Sequence, residues 1–210
     1  MITGGMEMRA DVGGKAEAVL AAARQLFMER GYGATNMDDI ARGAKVGKAT
    51  VYEYFQSKED LFAAVVIREC TAHARMLQAL DDLSGDLRTR LIRFAQAFLD
   101  FIIRPEIINV YRTIIAESVR APHLGTSFYE SGPIRVRSAL AHVLAEASAR
   151  GEIEAADPER AAVDLISLVR ADLHLRALFA VPTLPAPTEK RQLAQQAVDR
   201  FLKAYAPAVA

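Results

Sequence analysis

Between Ile40 and Leu61 the chain reads IARGAKVGKATVYEYFQSKEDL, and this stretch restricts the fold more than any other. Ile40, Ala41 and Ala44 give a short segment a helical apolar face. Lys45-Val46-Gly47 interrupts it, and Val51 and Phe55, four apart, resume a helical face on the far side. Lys48, Thr50, Tyr52 and Glu53 lie largely off that second face. One side of the second helix can therefore pack while the other stays free to meet a partner.

The flanks extend the helical pattern in both directions. From Lys15 to Arg30, Val19, Ala23, Leu26 and Phe27 mark a first helix that Gly31 stops as a C-terminal cap. Thr35 lies just ahead of the second helix, whose first turn holds Asp38 and Asp39, where the helix dipole favours acids. Residues 1–14 are Gly-rich and aperiodic and are expected to be a disordered arm. Ser57 and Asp60 resemble a capping box opening a fourth helix patterned by Leu61, Val65, Ala72, Met76 and Leu80. That helix would span roughly 30 Å, enough to join two domains.

Beyond it, Leu91, Phe94, Phe98 and Ile102 belong to a fifth helix apolar nearly all round, as suits the middle of a bundle. Arg104-Pro105 ends it, and a sixth runs from Glu106 to about Val119. Gly132-Pro133 must kink or restart a seventh, carrying Val136, Leu140, Val143 and Leu144 and closed by Gly151. Asp157-Pro158 opens an eighth running to about Ala180. Pro182, Pro185 and Pro187 form a stiff linker to a ninth with Leu193, Ala197, Phe201 and Leu202. The expectation is an all-α protein of about nine helices and no strand, with a three-helix head over 15–60 and a helical bundle over 61–210.

Charge and chemistry narrow the function. With 26 basic and 26 acidic residues the net charge is zero, so any affinity for nucleic acid must be local. Arg42, Lys45, Lys48 and Lys58 face a single acid, Glu53, between positions 42 and 58. One cysteine, Cys70, excludes an internal disulfide framework, no apolar run reaches the roughly eighteen residues of a membrane span, and the N-terminus lacks a secretion signal. A cytoplasmic protein is expected. His73, His123, His142 and His174 lack metal-ligand spacing, and neither a phosphate loop nor a nucleophile arrangement is present. Neither an enzyme nor a cofactor is expected.

A short helix, a tight turn and a second helix with polar residues facing out is the helix-turn-helix plan, whose second helix enters the major groove. The pattern alone also describes a helical hairpin with a solvated face. The particular residues decide more: Ile40-Ala41, Ala44, Val46, Lys48, Thr50-Val51-Tyr52, Tyr54-Phe55, Ser57-Lys58 and Leu61, preceded by Ala23, Leu26-Phe27, Gly31-Tyr32 and Thr35. Together these residues closely resemble the DNA-binding segment of the TetR family of bacterial transcriptional regulators, over about residues 15–62. The resemblance implies that Thr35, Tyr54 and Lys58 bind phosphates and that Lys45 adds another such contact. Lys48, Ala49, Thr50 and Tyr52 would approach base edges or methyls. Glu53 would accept from a cytosine amino group or remain a solvated charge. The family commonly has Gly where this chain has Lys45 and Ala49, and Ser where it has Gly47. Lys45 must then adopt a turn backbone that suits Gly, and Gly47 supplies no side-chain cap.

The later helices, with Phe128-Tyr129-Glu130 and Gly132-Pro133, look like the C-terminal domain of a TetR subgroup. That likeness implies an effector cavity among helices four to seven and a homodimer formed through helices near 158–180 and 188–205. From the residues themselves, Phe94, Phe98, Phe101, Ile102, Tyr111, Ile114 and Phe128 would line an apolar pocket. Glu117, Ser118, Arg170 and His174 would be its polar anchors; for each of these pocket residues, plain core packing or a surface charge is the simpler account. The resulting expectation is a repressor that binds a near-palindromic double-stranded DNA operator as a homodimer and is released by a small, largely apolar effector, with no membrane partner. The alternative is a small-molecule sensor or carrier of the same fold without specific DNA binding.

Overall fold

In the computed structural model, residues 4–72, 85–182 and 185–207 are described, and among them every regular element is helical. The elements are α1 (Gly4–Ala34), α2 (Met37–Ala44), α3 (Lys48–Tyr54), α4 (Lys58–Ala72), α5 (Leu87–Ile102), α6 (Pro105–Glu117) and α7 (Pro122–Tyr129). A π-helical turn (Glu130–Ile134) follows, then α8 (Arg135–Ala149), α9 (Pro158–Arg170), α10 (Leu173–Leu178) and α11 (Pro187–Ala204). The chain divides into two compact units, Met1–Glu69 with Thr113–Phe128, and Cys70–Arg112 with Tyr129–Ala210.

The first unit is built on a small apolar core of Val19, Ala23, Phe27, Ile40, Val51, Leu61 and Val66. The Phe62 ring meets those of Phe27 and Tyr32 edge-on, with centroids 5.2 and 5.0 Å away. Helix α1 starts at Gly4, so positions 4–14, expected to form an arm without regular structure, are helical. Met6, Glu7, Met8, Arg9 and Ala10 are good helix formers, and extending an existing helix fixes only one residue per hydrogen bond gained. Gly31, at φ 80° and ψ 164°, interrupts the helical backbone where a stop was expected. The cap of α2 is Asn36, not Thr35: Asn36 Oδ1 accepts from Asp39 N at 2.8 Å. The Ser57 hydroxyl caps α4, accepting from Asp60 N at 3.0 Å. The expected continuation of α4 through Met76 and Leu80 lies outside the described residues.

The second unit has a larger core in which α5 packs on α11, and α9 on α8 and α11. Leu91, Phe94, Leu99, Leu140, Leu144, Leu165 and Phe201 are its centre. Asp86 caps α5 and Asp157 caps α9, each accepting from the backbone three residues on. Pro158 occupies the first turn of α9 as expected.

The disturbance expected at Gly132-Pro133 is present, and one expectation for the later helices needs correcting. Pro122–Tyr129 is a helix of its own, and Gly132-Pro133 sits in a π-helical turn through which the chain passes into α8. The wider turn accommodates a residue that has no N–H and whose ring crowds the preceding turn. The expected eighth helix does not run unbroken to Ala180: Ala171, at φ 43° and ψ −133°, ends α9 before α10 begins. Ala is the best helix former, so nothing local signals the break. A distant side chain holds the second piece, as Arg112 donates to the Leu178 carbonyl at 2.9 Å and to that of Ala177 at 3.0 Å.

Candidate nucleic-acid interface and effector site

The turn between α2 and α3 is closed by backbone geometry. Lys45 takes φ 56° and ψ 38°, its N–H meets the Arg42 carbonyl, and Val46 N donates to Ala41 O at 3.0 Å. This is a left-handed helix cap, the conformation that glycine adopts without strain. Gly47 at the start of α3 has no side-chain cap, and its carbonyl accepts from Thr50 N at 3.0 Å. Val51 is fully buried and fixes the rotation of α3. Lys48, Ala49, Tyr52 and Glu53 are consequently exposed, and Thr50 and Tyr54 are half-buried. Tyr52 keeps 43% of its surface accessible.

Around this helix the charges are arranged in pairs. Lys48 Nζ lies 2.8 Å from Asp38 Oδ1, with both side chains 59% exposed, and this contact raises the Lys48 pKa. Arg42 pairs with Asp39, which Arg30 also approaches at 3.6 Å. Lys45 is exposed.

Two residues assigned to phosphate contacts are engaged elsewhere. Thr35 is 2% exposed, and its hydroxyl donates to the carbonyl of Gly31 at 2.8 Å and lies 3.2 Å from that of Leu26. Lys58 Nζ donates to the Tyr32 carbonyl at 2.9 Å and the Thr35 carbonyl at 3.1 Å. Thr35 is thus a buried tie across the break at Gly31, and Lys58 clamps the segment that joins α1 to α2. Sequence reasoning had no means of seeing that the backbone carbonyls of the segment joining α1 to α2 needed donors. It also missed Asn36, although Asn three residues ahead of Asp39 is a recognisable cap, and it missed the Asp38–Lys48 pair, which spans the turn.

The profile of bacterial regulatory proteins of the tetR family matches residues 19–65, and that of the AefR-like transcriptional repressor C-terminal domain matches 89–207. The chain belongs to the TetR family. Among solved TetR-type structures, a regulator from Mesorhizobium loti is similar with a TM-score of 0.86 and 27% identity, over 93% of this chain and 98% of that one. The flavonoid-responsive regulator FrrA is 40% identical with a TM-score of 0.81, over 94% of this chain and all of the other. The activator FasR of Mycolicibacterium smegmatis is 38% identical over 84 residues, 40% of this chain and 38% of FasR. The repressor NemR of Escherichia coli is 32% identical over 85 residues, 40% of this chain and 43% of NemR. The chain is therefore a TetR-family transcriptional regulator with a helix-turn-helix DNA-binding domain, and not an enzyme. Among the described residues no helix is long and apolar enough to cross a membrane.

The residues expected to line an effector pocket divide between the two units. Phe94, Phe98 and Ile102 are core residues of the second, at most 4% exposed, with the Phe94 and Phe98 rings stacked at 5.7 Å. Phe101 packs against that core from its edge. Tyr111, Arg170 and His174 belong to the same unit, and the Tyr111 and His174 rings meet edge-on at 4.5 Å. Ile114, Glu117, Ser118 and Phe128 belong to the first unit. There Ile114 and Phe128 are buried, and the Ser118 hydroxyl donates to the Ile115 carbonyl at 3.1 Å. Glu117 borders an open cleft of about 750 Å³ with Tyr32, Lys58, Glu59, Arg120 and His123.

Proposed function

We propose that this TetR-family protein is a repressor that binds a near-palindromic operator as a homodimer and leaves it when an aromatic, largely apolar effector of the flavonoid kind binds. The observation that carries the DNA reading is the exposed row Lys48, Ala49, Tyr52 and Glu53 on a helix rotated into place by the buried Val51. In this reading Lys48, Ala49, Thr50 and Tyr52 approach bases, Lys45 and Tyr54 meet phosphates, and Glu53 accepts from a cytosine. Repression is supported by the AefR-like repressor match over 89–207, and the effector class by the likeness to FrrA along nearly the whole chain.

A single short recognition helix makes few contacts, so two heads set one helical turn of DNA apart, or a multiple of it, are needed to read a site. Val163, Leu168, Leu175, Phe179 and Val181 are all exposed on or beside α9 and α10. An apolar stretch of this kind suits a self-complementary contact about a two-fold axis, with α11 as its neighbour. The effector acts through its higher affinity for a dimer whose heads no longer match the half-site spacing. The test is a gel shift with the upstream DNA of the protein's own gene cluster, with and without a flavonoid. Specific binding that the flavonoid releases, and that Lys48→Ala and Tyr52→Ala abolish, is expected; binding indifferent to sequence refutes the reading.

A further inference from the structure

Among the described residues, the buried side-chain nitrogens without a hydrogen-bond partner include Nε2 of His174 and Nε of Arg170, which lie close together in the chain. His174 is 6% exposed. A buried donor without an acceptor costs stability, and folded proteins rarely keep one without a use for it. The two residues flank Ala171, whose φ of 43° and ψ of −133° is a strained backbone for any residue but glycine. Without that break, α9 would continue through this point as a regular helix. With it, Arg170 ends one helix, His174 lies in the next, and the His174 imidazole meets the Tyr111 ring at 73°. Burial, with the Arg170 guanidinium adding to it, holds the imidazole neutral by depressing its pKa to about 4. The corner therefore presents a fixed positive charge beside an uncharged imidazole.

We infer that Arg170 and His174 hold an acidic oxygen of the effector, a carboxylate or an ionised phenol, with the ligand's ring system lying toward Tyr111. The oxygen accepts from Arg170 Nε–H and from the Nε2–H tautomer of His174, making the two missing bonds at once. No proton changes hands, since the ligand arrives ionised and the imidazole stays neutral. The inference rests on the effector-responsive reading above but is narrower, because it specifies which group of the ligand is recognised and by which atoms.

Calorimetry of the full-length protein with 2-naphthoate and its neutral isostere 2-acetylnaphthalene tests it. A charge-assisted bond lost on neutralising the ligand corresponds to about tenfold or more in affinity, so the naphthoate should bind that much more tightly. Arg170→Met should remove the preference and Arg170→Lys restore part of it. Neither Arg170→Met nor His174→Phe should lower the melting temperature, since each removes an unmade buried bond. In the unsubstituted protein the His174 ring resonances should also titrate at higher pH with naphthoate bound, a readout that needs no variant. Equal affinity for the two probes, no binding of either, or a preference unchanged in Arg170→Met overturns the inference. Selective naphthoate binding that fails to free the protein from its operator leaves this site standing and removes the effector-release reading. Operator release by both probes alike does the reverse.

Discussion

Lys58 Nζ sits 4.1 Å above the centre of the Tyr32 ring while donating to the carbonyls of Tyr32 and Thr35. One ammonium thus holds the far end of α1 and the start of α2 against α4, which makes it a structural element of the DNA-binding head. Lys58→Met should destabilise the protein by about 1.5–3 kcal/mol, the worth of charge-assisted hydrogen bonds to buried acceptors. Urea unfolding measures this. DNA affinity should fall with stability, but the slope of log affinity against log salt should not change. A shallower slope with unaltered stability would return Lys58 to the phosphate contacts.

Lys45 should behave in the opposite way. Its left-handed backbone strains a residue with a Cβ, so Lys45→Gly should stabilise the protein by about 1 kcal/mol. It also removes an exposed cation at the turn, so operator binding should weaken and its salt slope should drop by about one per protomer. Thermal unfolding and salt-dependent gel shifts on the same preparation would separate the two effects.

The break at Ala171 offers a related test without a charge. Ala171→Gly should raise stability by about 1 kcal/mol, because the φ of 43° with ψ of −133° lies in a region that glycine enters freely. A lower melting temperature would mean that the entropy glycine adds to the unfolded chain outweighs the strain it relieves.

His174 should make stability depend on pH. Its folded pKa, about 4, lies below the ordinary value of 6.5, so the unfolded chain binds more protons between these limits. Stability is complete above about pH 6.5 and declines as pH falls toward 4, at a rate approaching 1.4 kcal/mol per unit. His174→Gln should flatten this part of the profile while Arg170 and Tyr111 stay in place. Denaturant melts at pH 7, 6 and 5 would show the difference, and parallel profiles would indicate that the imidazole titrates normally.

What was legible in the sequence was what is local. The Ser57 cap, the Asp157-Pro158 start and the disturbance at Gly132-Pro133 rest on residues within a turn of each other, and each is present. The apolar faces around Val51, Leu91 and Leu165 likewise follow from period alone. The elements that were misread depend on distant partners. Thr35 looks like a cap until the carbonyls of Leu26 and Gly31 are seen beneath its hydroxyl. The split at Ala171 lies in a helical pattern without a breaker, and its second piece is tied down by Arg112 from another helix. Aromatic residues in a bundle helix read equally well as pocket lining or core, and Phe94 and Phe98 prove to be core.

The pair Asp38–Lys48 gives the sharpest test of the reading face. Asp38 lies 2.8 Å from Lys48 Nζ and is itself 59% exposed, so a carboxylate stands beside the cation that is proposed to approach the bases. Such an acid repels the phosphates on either side of the groove and holds Lys48 back until DNA displaces it. Asp38→Asn should therefore tighten binding to unrelated DNA several-fold at low salt, with the gain shrinking as salt rises and screening shortens. Binding to the operator should improve more, because the base contact breaks the Lys48–Asp38 pair there and the substitution removes that cost. The ratio of specific to non-specific affinity should consequently rise, which competition gel shifts at two salt concentrations can measure. If both affinities rise equally, Lys48 acts only as a phosphate contact, and the reading of bases rests on Thr50 and Tyr52.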